Sequence, residues 1–239
     1  MKFAIISDIH SNYYALKAVL DDIIKNKIEN IIILGDIFGY YPWASETYQL
    51  LFPFLDKALV IKGNHDQLLL ESKTPYPVPS YWFAAKQNQK QLIQNFPEAI
   101  SWLKELSFSK KLKIEDYSIE MYHGTPENVV NGRYYPTDIG NILPWYPTNN
   151  TIMLLGHSHY PFIYQQIDTT SFILNPGSVG QPRDGNPMPS WIIWNTNENK
   201  FKIIRSNYNN LAVMQELNNM NWDVRAIKSL NKTQQGILQ

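Results

Sequence analysis

The sequence predicts an α/β fold of two stacked β-sheets flanked by helices, and three observations lead there. An apolar run, a helical stripe and a second apolar run open the chain as β-α-β. Seven further strand-like runs follow residue 110. The chain has 239 residues, 44% of them hydrophobic, enough for one large domain.

The first strand is Phe3 to Ile6, stopped by Ser7 and Asp8. A helix is expected from about Tyr13 to Ile28. Asn12 is placed to cap it, and Leu16, Val19, Leu20, Ile23 and Ile24 recur at the i, i+3, i+4, i+7, i+8 spacing of a sheet-packed face. Ile31 to Leu34 is the second strand. A second helix is expected from Ala44 to just before Pro53, whose ring removes an N–H, and Ala58 to Ile61 reads as the third strand.

Residues 67 to about 110 break the alternation. Pro75, Pro77 and Pro79 give an irregular stretch, and two helices are expected around Tyr81 to Asn95 and Pro97 to Leu106, forming an insertion or cap on a single 1–239 domain. Strands are then expected at Leu112 to Ile114, Ser118 to Tyr122, Ile152 to Leu155 and Phe162 to Ile167, and again at Phe172 to Leu174, Trp191 to Trp194 and Phe201 to Ile204. Asn-rich pieces near 195–199 and 207–210 read as polar turns, and the tail after Asn221 as a helix or a frayed end.

Lys plus Arg and Asp plus Glu each total 21, so the formal net charge is zero and no basic field argues for a nucleic-acid or membrane partner. The first apolar run is far too short for a signal-peptide core or a membrane span, so the chain is expected to be cytoplasmic. With no cysteine, any metal site must use nitrogen and oxygen ligands.

The five histidines, His10, His65, His123, His157 and His159, each lie just beyond a strand-like run. Ile5-Ile6-Ser7 leads into Asp8-Ile9-His10, Ile33-Leu34 into Gly35-Asp36, and Val60-Ile61-Lys62 into Gly63-Asn64-His65-Asp66. Met121-Tyr122 leads into His123-Gly124, and Leu154-Leu155 into Gly156-His157-Ser158-His159. Ligand sites of α/β sheets gather outside the carboxyl ends of strands, so these endings can converge on one crevice. An Asp-x-His pair or a Gly-Asp turn alone is ordinary loop chemistry; the conjunction of all five endings is what carries the signal. Imidazoles and carboxylates suit a binuclear hydrolytic centre. Two divalent ions, two aspartates and a bridging hydroxide would leave it at about +1, attractive to a phosphate anion.

The order Asp-x-His, Gly-Asp, Gly-Asn-His-Asp, His-Gly, Gly-His-x-His over residues 8–159 resembles the calcineurin-like metallophosphoesterase superfamily. The run from Asn175 to Gly185 is similar to the extension of its small bacterial and archaeal phosphodiesterase branch. The resemblance implies an α/β/β/α sandwich of two mixed sheets, with two divalent ions (Mn, Fe, Zn or similar) and a bridging hydroxide as nucleophile. It implies Asp8, His10 and His159 on one ion, Asn64, His123 and His157 on the other, and Asp36 bridging. His65 would contact the phosphate or protonate the leaving group. The implied substrate is a small-molecule or nucleotide phosphate ester, a diester foremost.

Phosphoprotein phosphatases of the superfamily continue the second motif as Gly-Asp-x-x-Asp-Arg, whereas this chain has Gly39 and Tyr40 there. That disfavours the phosphoprotein-phosphatase alternative. It also leaves His65 either to find another orienting partner, for which Asp66 is the candidate, or to act mainly as a hydrogen-bond donor. A non-catalytic scaffold is the other alternative, disfavoured because no ligand is missing. Arg183 and Arg133 are candidate phosphate clamps. Tyr40, Tyr41, Trp43, Tyr76, Tyr81 and Trp82 suit either a pocket for an aromatic group or core packing.

Overall fold

A computed structural model describes residues 1–73, 79–138, 150–165 and 169–231. The first sheet comprises β1 (Lys2–Ile6), β2 (Asn30–Leu34), β3 (Leu59–Ile61), β9 (Ser190–Asn195) and β10 (Lys200–Arg205), in the order β10-β9-β1-β2-β3. The second comprises β4 (Ser109–Ile114), β5 (Tyr117–Tyr122), β6 (Thr151–Leu155), β7 (Pro161–Gln165) and β8 (Phe172–Pro176), in the order β4-β5-β6-β8-β7. Both are mixed. In the first, β1, β2 and β3 run parallel and β9 and β10 pair antiparallel; in the second, β5, β6 and β8 run parallel between antiparallel edge strands.

Period-two alternation assigns each face. Phe3, Ile5, Ile32 and Leu34 point between the sheets, where they meet Ile119, Met121, Ile152, Leu154 and Trp194. Ala4, Ile6, Ile31 and Ile33 point the other way, onto α1 (Tyr13–Lys25). Both faces of β1 and β2 are therefore buried, which is why they read as continuous apolar runs. Each buried aliphatic side chain contributes roughly 1.5–3 kcal/mol.

Leu16, Val19, Leu20 and Ile23 of α1 are buried as the stripe predicts, and the Asn12 side chain accepts from the Ala15 N–H at 3.2 Å. Ile24 is 60% exposed, at the edge of the stripe and turned to solvent. The helix ends at Lys25, short of Ile28, because Lys27 takes a left-handed conformation and the Ile28 N–H returns to the Ile23 carbonyl. Conversely, α2 (Ala44–Leu55) runs past Pro53. In the last turn proline removes a single intrahelical N–H, and the helix closes soon after.

Three elements of the 67–110 region are helical. α3 (Asn64–Leu70) begins inside the Gly-Asn-His-Asp motif, and α4 (Pro79–Asn95) and α5 (Pro97–Glu105) pack beside it and α2 through Ala85, Leu92, Ala99 and Leu103. The expected irregular stretch at 74–78, with Tyr76, and the end of the expected strand at 166–167 lie outside the described residues. After β10 come α6 (Asn210–Asn219), at the site of an expected polar turn, and α7 (Val224–Ser229). Val213, Leu217, Ala226 and Ile227 on these helices cover Tyr41 and Trp43. No described helix is long and apolar enough to cross a membrane.

Candidate metal centre

The parallel strands β1, β2 and β3 of one sheet and β5 and β6 of the other end at a common rim, where their loops are laced together. The Asp8 and His10 N–H groups donate to the carbonyls of Gly35 and Asp36, at 3.0 and 2.9 Å. The Gly156 N–H donates to the His123 carbonyl at 3.0 Å, and Val179 and Gly180 donate to Ser7 and Asp8. The backbone here is unusual: Asp8, His10, Asp36, His157 and His159 all have φ between 51° and 63°. Left-handed conformations of residues with a Cβ are uncommon, and they persist where the surroundings over-determine them. Gly63 is needed for close approach, since a Cβ there would lie 2.6 Å from His123 Cε1.

The side chains converge. Nε2 of His159 lies 3.1 Å from Asp8 Oδ1, and Nε2 of His10 lies 3.2 Å from that of His159 and 3.7 Å from Asp36 Oδ2. On the other side, His123 Nε2 lies 3.5 Å from Asp36 Oδ2 and 3.1 Å from Asn64 Oδ1. Ligand atoms of Asp8, His10 and His159 form one group within 4.8 Å, and those of Asp36, His123 and His157 a second. Asp36 also groups with His10 and His65, which sets it between the two sides.

Several of these atoms are buried without a partner. Among the described residues Asp8 Oδ1, Asp36 Oδ2 and both His157 nitrogens make no hydrogen bond. Leaving buried polar atoms unpaired costs about 1–3 kcal/mol each, more for charged groups. The remaining atoms of these side chains are tied down in a way that aims the free ones inward. Asp8 Oδ2 accepts from Ser7 Oγ and the His157 N–H, and Asp36 Oδ1 from the His65 N–H. His123 Nδ1 and His159 Nδ1 lie 2.8 and 2.6 Å from the carbonyls of Leu34 and Gln181. Donation there leaves each Nε2 with a free lone pair. The donor set and its unpaired atoms fit divalent cations bound by nitrogen and oxygen.

Burial alone would raise Asp8 and Asp36. For Asp8, however, His159, His123 and Ser7 together outweigh it, and for Asp36 His123, His65 and His10 together do, so both carboxyls sit well below their usual range. Burial depresses His10 and His159, takes His65 down to about 4 and His157 to about 3. For His123 the Asp36 and Asp8 carboxylates and the Leu34 carbonyl together overcome burial and raise it to about 9. Ionised carboxylates and neutral imidazoles at His10, His157 and His159 are the protonation state that cation binding needs, and His123 would give up its proton to a bound cation.

His65 stands beside this cluster in a pocket of about 200 Å³. Asp66 is not its orienting partner: its two oxygens accept from the N–H groups of Phe38 and Gly63, both at 2.9 Å, and so pin the loop after β2 to the start of α3. The His65 ring is instead gripped by rings, with centroids of Tyr40, His10 and Tyr81 at 4.5, 4.9 and 5.4 Å. Arg183 and Arg133 both line the pocket, and Arg183 Nη2 is held by Gln181 Oε1 at 2.9 Å and Tyr40 Oη at 3.3 Å. Of the aromatic residues, Tyr40 and Tyr81 face the pocket, while Tyr41, Trp43 and Trp82 serve packing.

Two contributors support the site from outside the five strand-end motifs. Buried Asn88 of α4 accepts from Ser11 Oγ and the Gly39 N–H and donates to the Tyr41 carbonyl, fixing the loop that carries Tyr40. Asn175 Nδ2 donates to the Gly156 carbonyl at 2.8 Å, and Ser178 Oγ to that of Asp8 at 2.7 Å, so the Asn175 to Gly185 run buttresses two strand endings at once. An amide on a helix reads as solvent-facing, so Asn88 gave no signal; the Asn175 to Gly185 run stands out through its similarity to the branch's extension, which does not disclose these contacts.

The sequence profile of the calcineurin-like phosphoesterase superfamily domain matches residues 1–199. An uncharacterized protein of Methanocaldococcus jannaschii is 31% identical over 219 residues, covering 86% of this chain and 87% of its own. The phosphodiesterase YfcE of Escherichia coli K12 is 25% identical over 200 residues, covering 78% of this chain and 84% of its own. The crystal structure of a metallophosphoesterase from Sphaerobacter thermophilus superposes with a TM-score of 0.78 at 26% identity, over 97% of this chain and 99% of that one.

Proposed function

Since the chain belongs to the calcineurin-like phosphoesterase superfamily, we propose that it hydrolyses small-molecule phosphate esters, diesters foremost, at a centre of two divalent cations. The observation that carries this reading is the set of unpartnered buried atoms on Asp8, Asp36 and His157, distributed over two adjoining ligand groups. Asp8, His10 and His159 would hold one cation, Asn64, His123 and His157 the other, with Asp36 between them. Cations bound there would supply Lewis acidity and a water deprotonated near neutral pH.

The chain's own residues do the rest. Gly63 keeps the rim open where Asp36 and His123 approach. Arg183, pre-set by Gln181 and Tyr40, offers its guanidinium to the phosphoryl oxygens, and Arg133 lines the same pocket. His65, neutral through burial, donates a ring N–H to a phosphoryl or leaving-group oxygen. His65→Ala is expected to lower kcat by roughly 10²–10⁴-fold while the protein keeps its full metal complement by elemental analysis. An emptied metal site in that variant would make His65 a ligand instead.

A second reading, a phosphomonoesterase, draws support from the two arginines at the pocket. A monoester dianion needs more positive donors than a diester, and these can supply them. Comparing an aryl phosphate with the matching bis-aryl phosphate at equal metal loading decides between the two. The diester is expected to show the higher kcat/KM in wild type. A wild-type preference for the monoester that vanishes in Arg183→Ala would establish the second reading.

A further inference from the structure

Beside the phosphate-sized pocket lies a second cavity of about 510 Å³. Tyr40, Tyr81 and Arg183 line both, so the two share a wall. The far side of the second cavity is α7, which contributes Asp223, at its cap, Arg225 and Lys228. This helix lies beyond the 1–199 span that matches the superfamily. The first pocket, at about 200 Å³, falls below the ~300–1,000 Å³ typical of small-molecule sites. It has room for a phosphoryl group but not for a sizeable substituent, whereas the second cavity lies within that range.

The charges lining the second cavity are unbalanced, with Arg183, Arg225 and Lys228 against Asp223 alone. Arg225 donates to Ser80 Oγ and stands 3.6 Å from Asp223 Oδ1. The Lys228 ammonium makes no ion pair or hydrogen bond among the described residues, while its backbone carbonyl accepts from the Asn231 N–H. The shared wall is aromatic, with Tyr40 and Tyr81 ring centroids 5.2 Å apart and edge to face. An aromatic approach that ends at two cations suits a planar or apolar linker carrying an anion at its far end.

We propose that this cavity receives the leaving half of the substrate, and that this half bears an anionic group of its own, phosphate or carboxylate, held by Arg225 and Lys228. The substrate class is then a phosphate diester with a second anionic group beyond an apolar linker. The proposal rests on the hydrolytic reading above and narrows it.

The probes are monomethyl benzylphosphonate, in which a CH₂ replaces the leaving oxygen, and its para-carboxylate and para-phosphonate derivatives. Each is titrated calorimetrically into metal-loaded protein at low salt. Wild type is expected to bind one or both tailed ligands roughly tenfold or more tightly than the untailed one, the scale of one charge-assisted hydrogen bond. The stronger of the two identifies the anion. Arg225→Ser with Lys228→Ser should abolish that preference, and Arg225→Lys with Lys228→Arg should retain it. Equal affinity for tailed and untailed ligands in wild type, or a preference that survives the double serine variant, would overturn the proposal. Failure of the hydrolytic reading shows separately, as absent turnover of bis-aryl phosphate, and leaves the calorimetric result decisive for the cavity.

Discussion

Asp36→Asn is expected to lower kcat roughly 10³-fold or more, a loss at the upper end of those seen when one key electrostatic group is removed. The substitution is nearly isosteric, and Oδ1 can still accept from the His65 N–H, so the loop keeps its shape. What changes is Oδ2, which lies 3.7 Å from His10 Nε2 and 3.5 Å from His123 Nε2 without a hydrogen bond of its own. There a charged acceptor becomes either a neutral oxygen or an amide donor aimed at both ligand groups. Elemental analysis should accordingly show less metal on the variant. A variant with near wild-type turnover and both ions in place would remove Asp36 from the centre of the scheme.

The second large effect follows chelation. Metal-free protein should lose all turnover and recover it with a divalent transition ion. It should also melt lower. A ligand at 1,000 times its Kd stabilises by about 4 kcal/mol, and each kcal/mol moves Tm by about 2–4 °C at this chain length. Calorimetry should therefore show a fall of roughly 8–16 °C. The size would reflect where the proposed ligands sit: β1, β2 and β3 deliver some and β5 and β6 the others, so bound cations would join two sheets. Unchanged turnover by protein shown to be metal-free would end the two-metal reading.

The strand endings were legible because their signal is local. Each histidine follows an apolar run, and parallel strands bring such endings to one rim without knowledge of side-chain contacts. Contacts that span the chain were not legible. Asn88 reaches Ser11 across 77 positions, and nothing near Asn88 distinguishes it from a solvent-facing amide. Asp66 adjoins His65 and looked like its partner. Yet α3 starts at Asn64, where Asp66 caps the first turn through the Gly63 N–H, a role set by helix geometry rather than proximity in sequence. α6 was obscured by its composition: the asparagines near 207–210 resemble a turn, and the helix starts among them because Asn209 caps it through the Ala212 N–H. Arg183 was recognisable as a candidate from its glycine-flanked loop, but its clamp geometry depends on Tyr40, more than a hundred residues earlier.

The left-handed backbone at Asp8, His10, Asp36, His157 and His159 restricts how this sequence can drift, apart from any need for catalysis. Aspartate, asparagine, histidine and glycine tolerate such φ values, whereas β-branched residues are strongly penalised. A lineage that no longer needed hydrolysis could not fill these five positions with valine or isoleucine without re-forming the loops that join the sheets. Substitutions toward asparagine and glycine are the least obstructed, and asparagine still presents an oxygen toward the cluster. Backbone shape thus narrows the choice to residue types that include three able to bind cations, so the potential for metal binding can outlast selection for it.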